Sequence, residues 1–491
     1  MSRRKRPRSA RKAESRRTHE RRQTNKAHLA GMLDWFLPDD LIFSEMRLHG
    51  NTKWSPRRLV CLAILWACSG LKNLTDAFAE AAECCRSMFG SAALGTYQGF
   101  MGVLSRWTPM LMEVLWPVLQ QRMEEIGGEH WRIHGWVPIA FDGSRSTAPR
   151  TVANERAFCA KDYGKGKTAK YRKKKSKGMR RRNNEKNKPQ PQEPQAWITL
   201  LWHMGLRLPW MWRLGPSNSS ERAHVMEMIH GGRYPDKTLF CGDAGFIGYP
   251  LWSDIMQHGG HFLVRVGANV SLLRESSDYE LLKNGLVLCW PRAMQGKQAP
   301  LRLRLVKVRI GKSKAYLLTS VLASGELTIR EMVQFYKMRW GIEVEFRGLK
   351  QTLDRAKLRC RNDQRLLAEL DWSLMAMAVA ELFALREQLA KRPRAGGQNP
   401  PSTDPARRSL ANTMRAIRRC IRVPDAIPDA GADLPTLLRN AVTDGYHRKK
   451  PKRARYRPPN PDKKPLGAPK VRKITDQEKK WLRKSLDELA A

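Results

Sequence analysis

Between residues 136 and 325 the apolar residues gather into short runs, while on either side they recur with a helical period. This switch constrains the fold more than any other feature of the sequence. WVPIAFD (136–142), AWITLLWHMG, LPWMWRLGP, KTLFCGD (237–243) and HFLVRVGAN (261–269) have the length and bounding turn residues of strands. A Gly-Ser turn at 143–144 is expected to close the first. SSERAHVMEMIHG (219–231) and YPLWSDIMQHG read as helices between them. LVLCW, LRLRLVKVRI and KAYLLTSVL make 270–325 an all-β stretch. Upstream, Ser55-Pro56 opens a helix as cap and first residue, Asn73-Leu74-Thr75 opens a second, and a third runs from Tyr97 to the Gly pair at 127–128. Downstream, 328–358 reads as one long helix interrupted only by Gly341, and LLAELDWSLMAMAVAELFALREQLA as another. The predicted fold class is α/β, an α/β layer flanked by helical units.

Charge decides the partner. The chain of 491 residues carries 91 Lys+Arg against 46 Asp+Glu, a net charge of +45. Segments 1–27, 161–188 and 448–473 hold +10, +12 and +11 of it. Each is poor in aliphatics and is expected to be a mobile tail or loop. Such an excess repels itself unless a polyanion offsets it, which argues against a conventional enzyme for a small neutral substrate and for nucleic acid. No apolar run approaches the ~20 residues that span a bilayer, and the basic N-terminus lacks the apolar stretch of a secretory signal. The nine cysteines are odd in number and contain no C-x-x-C pair, so they are expected to be reduced core thiols, with no disulfide frame and no zinc site.

Chemistry is suggested by three acids. Asp142 and Asp243 each end an apolar strand, at the sheet rim where α/β folds place ligands. Each also precedes or nears a Gly, and an Asp so placed, taken singly, is more often a turn residue. On the 328–358 helix, Tyr336, Arg339, Glu343 and Lys350 fall within about 60° of one another at ~100° per residue, beside an apolar face of Phe335, Ile342, Phe346, Leu349 and Leu353. A solvated edge with an Arg339–Glu343 ion pair would give the same pattern. Converging carboxylates can hold two hard divalent ions that activate water or a 3′-hydroxyl at a phosphodiester. Arg and Lys beside them would contact phosphates, and Tyr offers a hydroxyl and a stacking ring.

The run YKMRWGIEVEFRGLK (336–350) resembles the Y-(2)-R-(3)-E-(6)-K motif of DDE transposases of the insertion-sequence-four (IS-four) family, over roughly residues 55–390. The resemblance implies an RNase H-like catalytic core with a β insertion, and Asp142, Asp243 and Glu343 as catalytic residues and metal ligands for Mg²⁺ or Mn²⁺, two ions in all. Tyr336, Arg339 and Lys350 would be DNA-binding, on phosphates and a hairpin. It further implies binding of terminal inverted repeats and target DNA, cut-and-paste strand transfer through a hairpin intermediate, a homodimer in the synaptic complex, no membrane, and a cytoplasmic, nucleoid-associated bacterial protein. The domains expected are a basic disordered tail (1–27), a helical DNA-binding domain (28–131), the catalytic domain (132–390, with a basic loop insertion at 161–193 and the β insertion at 270–325), and a C-terminal linker with helices and a basic segment (391–491). An inactive RNase H-like DNA-binding protein, or a related nuclease without strand transfer, would share most of these features.

Other residues read as structure. Tyr316, where some family members have a Trp that holds a flipped base, reads as a packed strand residue or a candidate for that role. His258-x-x-His261 reads as a turn pair without a third ligand near in sequence, Trp202-His203 as core or rim, Ser219-Ser220-Glu221 as a helix cap, and the 16 tryptophans as mostly packing.

Overall fold

The computed structural model describes residues 8–46, 54–90, 95–159, 193–274, 285–311, 313–390, 404–422, 431–443 and 466–482. The basic run 161–188 and most of 448–473 lie outside these residues. Among the described residues the strands are β1 Val137–Thr147, β2 Gln195–His203, β3 Leu208–Gly215, β4 Thr238–Gly242, β5 His261–Val266, β6 Ser271–Arg274, β7 Leu286–Cys289, β8 Leu301–Ile310, β9 Ser313–Thr319 and β10 Lys470–Lys473. They form one ten-stranded sheet in the order β10-β6-β7-β8-β9-β5-β4-β1-β2-β3. β1, β2 and β3 are antiparallel neighbours, whereas β4 runs parallel to β1 and β5 parallel to β4. The all-β stretch is continuous with this sheet, because β9 pairs antiparallel with β5 and β8, β7 and β6 follow in turn.

The helices are α1 Arg8–Phe36, α2 Pro56–Cys68, α3 Leu74–Phe89, α4 Tyr97–Gly127, α5 Val152–Phe158, α6 Glu221–Gly231, α7 Tyr249–Gln257, α8 Ile329–Met338, α9 Gly341–Gln351, α10 Asp363–Leu389, α11 Leu410–Ile421 and α12 Leu434–Arg439. α10 is apolar almost all round, which suits only an enclosed helix, and it packs against α2, α4, α11, α12 and β3. Trp372 Nε1 on α10 donates to Thr108 Oγ1 of α4 at 2.9 Å, and Trp212 Nε1 of β3 donates to Asp371 Oδ1 at 2.8 Å. One buried core therefore runs from Leu29 through the sheet to Leu438. All nine cysteines are free, and eight are buried. No helix among the described residues is long and apolar enough to cross a membrane.

Four expectations need correction. The N-terminal tail expected to be disordered through residue 27 is helical from Arg8. Residues 8–30 contain neither Gly nor Pro and are rich in Arg, Lys, Glu, Gln and Ala, all good helix formers. The anticipated turn at Gly143-Ser144 is absent, because the antiparallel ladder to β2 carries β1 on to Thr147. The end of the third basic segment, expected to be mobile, is β10, paired with β6.

The long helix expected over 328–358 is two helices, α8 and α9, joined at Arg339-Trp340. The hydrogen bonds tighten there to i→i+3: Ile342 N to Arg339 O at 3.1 Å and Glu343 N to Trp340 O at 3.2 Å. Gly341 lies so close to the sheet that a Cβ would stand 2.2 Å from the ring of Trp202, which is fully buried. Gly341→Ala tests this joint. Helix propensity alone would favour Ala by ~1 kcal/mol, but overpacking against an immobile ring costs ~1–3 kcal/mol. The variant should therefore be less stable than wild type in equilibrium denaturant unfolding; equal or greater stability would mean that Trp202 yields.

Candidate active site

The parallel register of β1 on β4 sets the site. Ala140 pairs with Cys241, so two residues further on Asp142 and Asp243 stand level, just past the end of β4. Asp142 is thus in the middle of β1 rather than at its carboxyl end, and is still half-open at a rim because β4 stops at Gly242. Gly143 N donates to Asp142 Oδ1 at 2.9 Å, and Gly245 N to Asp243 Oδ1 at 2.7 Å. Each carboxylate is held by a backbone amide of its own loop or strand.

Side chains alternate across a strand. Asp142 and Ser144 face the same side as their antiparallel partners Leu200 and Ile198 and as Trp202, and this is the side covered by α9. Arg339 Nη1 lies 3.7 Å from Asp142 Oδ2, and Lys350 Nζ donates to Ser144 Oγ at 2.7 Å. Arg339 is 3% exposed, its guanidinium 5.5 Å from the ring centre of Tyr336 and 5.4 Å from that of Trp340. The structure thus pairs Arg339 with Asp142, while Tyr336 is buried beneath the guanidinium. Burial pushes the Lys350 ammonium pKa below its ordinary value.

Glu343 is exposed, and its charge reaches Asp142. Glu345, two residues on, is buried instead, and burial together with the Glu381 carboxyl raises its pKa well above the carboxylate range. Of the two acids in IEVE, therefore, only Glu343 faces the rim. Burial is the main cause that raises the Asp142 pKa; Gly143 N–H and Arg339 oppose it, and the charges of Asp243 and Glu343 add to it.

One acid escaped the sequence reading. Ser220 Oγ caps α6 as expected, accepting from Ala223 N at 3.3 Å, but Glu221 turns toward the rim from the opposite face of the sheet. A Cβ on Gly143 would stand 2.1 Å from Glu221 Oε1, so it is the missing side chain at 143 that admits this carboxylate. Burial raises the Glu221 pKa first, and the charges of Asp142 and Asp243 raise it further. The only signal in the sequence was the Gly that follows Asp142.

The acids on β1, in the β4–α7 loop and on α9 offer oxygen donors only, the type that hard divalent ions take. Their mutual repulsion in a half-buried rim also calls for a cation. The remaining singled-out residues lie elsewhere. Tyr316 is half-buried on β9 and packs on the core. Trp202 and His203 are fully buried, and burial lowers the His203 pKa to about 3. His261 lies edge-on to Trp136, with its Nδ1 3.4 Å from Ser320 Oγ.

Residues that burial and like charge push up in pKa bind their proton more tightly in the folded state. Their share of stability is therefore complete below the ordinary carboxylate range and is lost as pH rises through the folded pKa. Asp142→Asn removes that loss. Without divalent metal it should melt higher than wild type at neutral pH, with the gap closing toward about pH 4. A melting temperature equal to wild type at neutral pH would show that the carboxylates do not strain one another.

Residues 138–379 match the family model described as the transposase DDE domain. No curated protein matches the chain. Among solved structures, a piggyBac transposase synaptic complex with hairpin DNA is similar at 12% identity, covering 84% of this chain and 85% of that one, with a TM-score of 0.37. Transposases of the DDE type work with divalent metal ions, in keeping with the oxygen donor set. Residues 138–379 are thus a transposase DDE domain, and the chain is an enzyme of the DDE transposase type.

Proposed function

We propose that the protein is a cut-and-paste transposase of the IS-four type, acting on the terminal inverted repeats of an insertion sequence through an RNase H-like core. The observation that carries this reading is that Asp142 on β1 and Asp243 just past β4 stand level, with the charge of Glu343 on α9 reaching Asp142. The order β3-β2-β1-β4-β5, antiparallel for three strands and then parallel, supports the RNase H-like core. Asp142, Asp243 and Glu343 would hold two Mg²⁺ or Mn²⁺ ions, with Glu221 within electrostatic reach. Such ions lower the pKa of bound water and stabilise charge on the phosphodiester oxygens.

The chain's own residues orient and neutralise. Arg339, fixed between Tyr336 and Trp340, holds Asp142 in place and offsets part of the cluster's charge. Being buried, Tyr336 and Arg339 position the site, whereas Lys350, only partly covered, is free to contact a phosphate by exchanging Ser144 Oγ for a phosphate oxygen. Beyond the site, Lys307 and Arg309 of β8 and Arg330 and Lys337 of α8 line an open groove, and these four cations suit a DNA backbone. Joining two ends requires both in one complex, which favours a homodimer. A soluble cytoplasmic enzyme associated with the bacterial nucleoid is the matching setting.

The test is cleavage of end-labelled duplexes carrying the DNA that flanks this gene, with Mg²⁺ or Mn²⁺, resolved on denaturing gels. Nicks at a fixed end position followed by hairpin or joined products are expected. Asp142→Ala, Asp243→Ala and Glu343→Ala should each reduce cleavage by more than the ~10–100-fold typical of outer-shell changes around a metal, with DNA binding nearly intact. Lys350→Ala should lose less. Cutting by any of the three carboxylate variants would remove that residue from the ligand set. Cutting without joining would indicate a nuclease, and binding without cutting an inactive scaffold.

The groove makes a separate prediction. Replacing Lys307, Arg309, Arg330 and Lys337 together by Ala should flatten the slope of log affinity against log salt by ~0.9 for each phosphate that the protein no longer neutralises. An unchanged slope would place the DNA elsewhere.

A further inference from the structure

The turn pair expected at His258 and His261 is not a pair. His261 faces Ser320 and Trp136, and His258 instead meets two residues that the sequence keeps apart. His230 is in the last turn of α6, Asp254 lies inside α7, and His258 is the C-terminal cap of α7. His230 Nε2 is 2.5 Å from Asp254 Oδ1, and His258 Nδ1 is 3.6 Å from the same oxygen. One ligand atom from each of the three residues lies within 4.8 Å of the other two. The imidazole rings lie with centres 4.8 Å apart, tilted by 33° to one another. Nδ1 of His258 is also 2.9 Å from the Asp254 carbonyl oxygen, which fixes that ring beside the carboxylate.

We propose that His230, Asp254 and His258 form a zinc-class metal site that fastens α6 to α7. The second, independent observation is Asp254 itself. Its side chain is 9% exposed, and its buried Oδ2 has no hydrogen-bond partner among the described residues. A buried carboxylate left with a free oxygen is costly unless a cation satisfies it. The two histidines are open to solvent, at 54% and 41% exposure, so an ion can enter. The C-terminal ends of α6 and α7 converge here, and their carbonyls add negative potential. Two imidazole nitrogens and one carboxylate oxygen make a borderline donor set, which selects Zn²⁺, Co²⁺ or Ni²⁺ over Mg²⁺. Three protein ligands leave a position for water.

The site is separate from the Asp142–Asp243 rim in both place and chemistry. α6 starts at Glu221 and α7 follows the loop that carries Asp243, so an ion here would tie together the two elements that bring those acids to the rim.

The full-length protein, stripped by chelator, would be titrated with Zn²⁺ against a chromophoric competitor in excess Mg²⁺, which fills oxygen-only sites. Co²⁺ absorption would report nitrogen ligation. One tightly bound Zn²⁺ per chain and a raised melting temperature are expected. His230→Gln and His258→Gln should each weaken binding by at least the ~10–100-fold that outer-shell losses cost, while Asp243→Asn binds as wild type. Because both histidines are solvent-exposed, the variants should keep the wild-type circular dichroism. No tight Zn²⁺, or equal affinity in the doubly substituted His230→Gln, His258→Gln protein, would overturn the proposal. So would loss of Zn²⁺ in Asp243→Asn alone, which would move the ion to the rim.

Discussion

Glu369 of α10 is a fully buried carboxylate, and the segment that follows α9 is organised around it. Its Oε2 accepts from Arg359 N at 3.0 Å and Cys360 N at 2.9 Å, and Arg355 Nε stands 3.7 Å from Oε1. A charge in the interior is tolerated only when paired and hydrogen-bonded, and here the partners are the backbone and guanidinium of residues 355–360. That segment in turn reaches the sheet: Thr147 N donates to Ala356 O at 3.0 Å, and Leu358 N to Thr147 O at 2.8 Å. Asn154 of α5 donates to Cys360 O, and Arg359 donates to Leu71 O ahead of α3. The far end of β1, the end of α9 and the helical layer are thus referred to one carboxylate. Asp142 lies on the first of those elements and Glu343 on the second.

With its scaffold fixed in this way, the rim can carry a repulsion that a looser fold would relax. The charges of Asp243 and Glu343 raise the cost of ionising Asp142, and Glu221 joins from the other face through the gap at Gly143. Arg339 offsets part of this charge, and it can do so only because α8 and α9 break between Met338 and Gly341. In an unbroken helix Arg339 and Glu343 would lie four residues apart on one face and could pair with each other. The i→i+3 joint directs Arg339 to Asp142 instead, leaving Glu343 exposed.

Much of this was legible in the sequence, for a physical reason. β1 and β4 begin level, Val137 opposite Thr238, and each apolar run reaches its Asp after the same number of residues, so the two acids stand level once the register is known; the 101-residue offset between Asp142 and Asp243 is the register offset of β1 on β4. Periodicity also gave the elements themselves. It could not show what depends on close approach between distant segments. Gly341 against Trp202, Gly143 against Glu221, and His230 beside Asp254 are contacts between residues 24 to 139 positions apart, and each side taken singly looks like a turn, a cap or a helix blemish. Nor could composition separate a charged coil from a charged helix. α1 has the formula of a disordered tail, yet its C-terminal half buries Leu29, Met32, Leu33 and Phe36.

Two electrostatic scales coexist in this chain. The net charge of +45 acts at long range and, on the proposed reading, gathers DNA with a strong salt dependence. The rim acts within about one Debye length, ~8 Å at physiological salt, and there its sign is opposite: four carboxylates face two cations, Arg339 and Lys350, of which Arg339 is buried and already paired. Phosphate drawn in by the groove of β8 and α8 would therefore be repelled at the last step by the bare rim. Only divalent ions reverse that local sign. Binding and chemistry are then separable by design, since cations on the periphery set affinity while the rim stays closed to phosphate until its own charge is neutralised. On the proposed reading, removing a rim carboxylate takes away a metal ligand but no peripheral cation, and this is why cleavage should fall while DNA binding stays nearly intact.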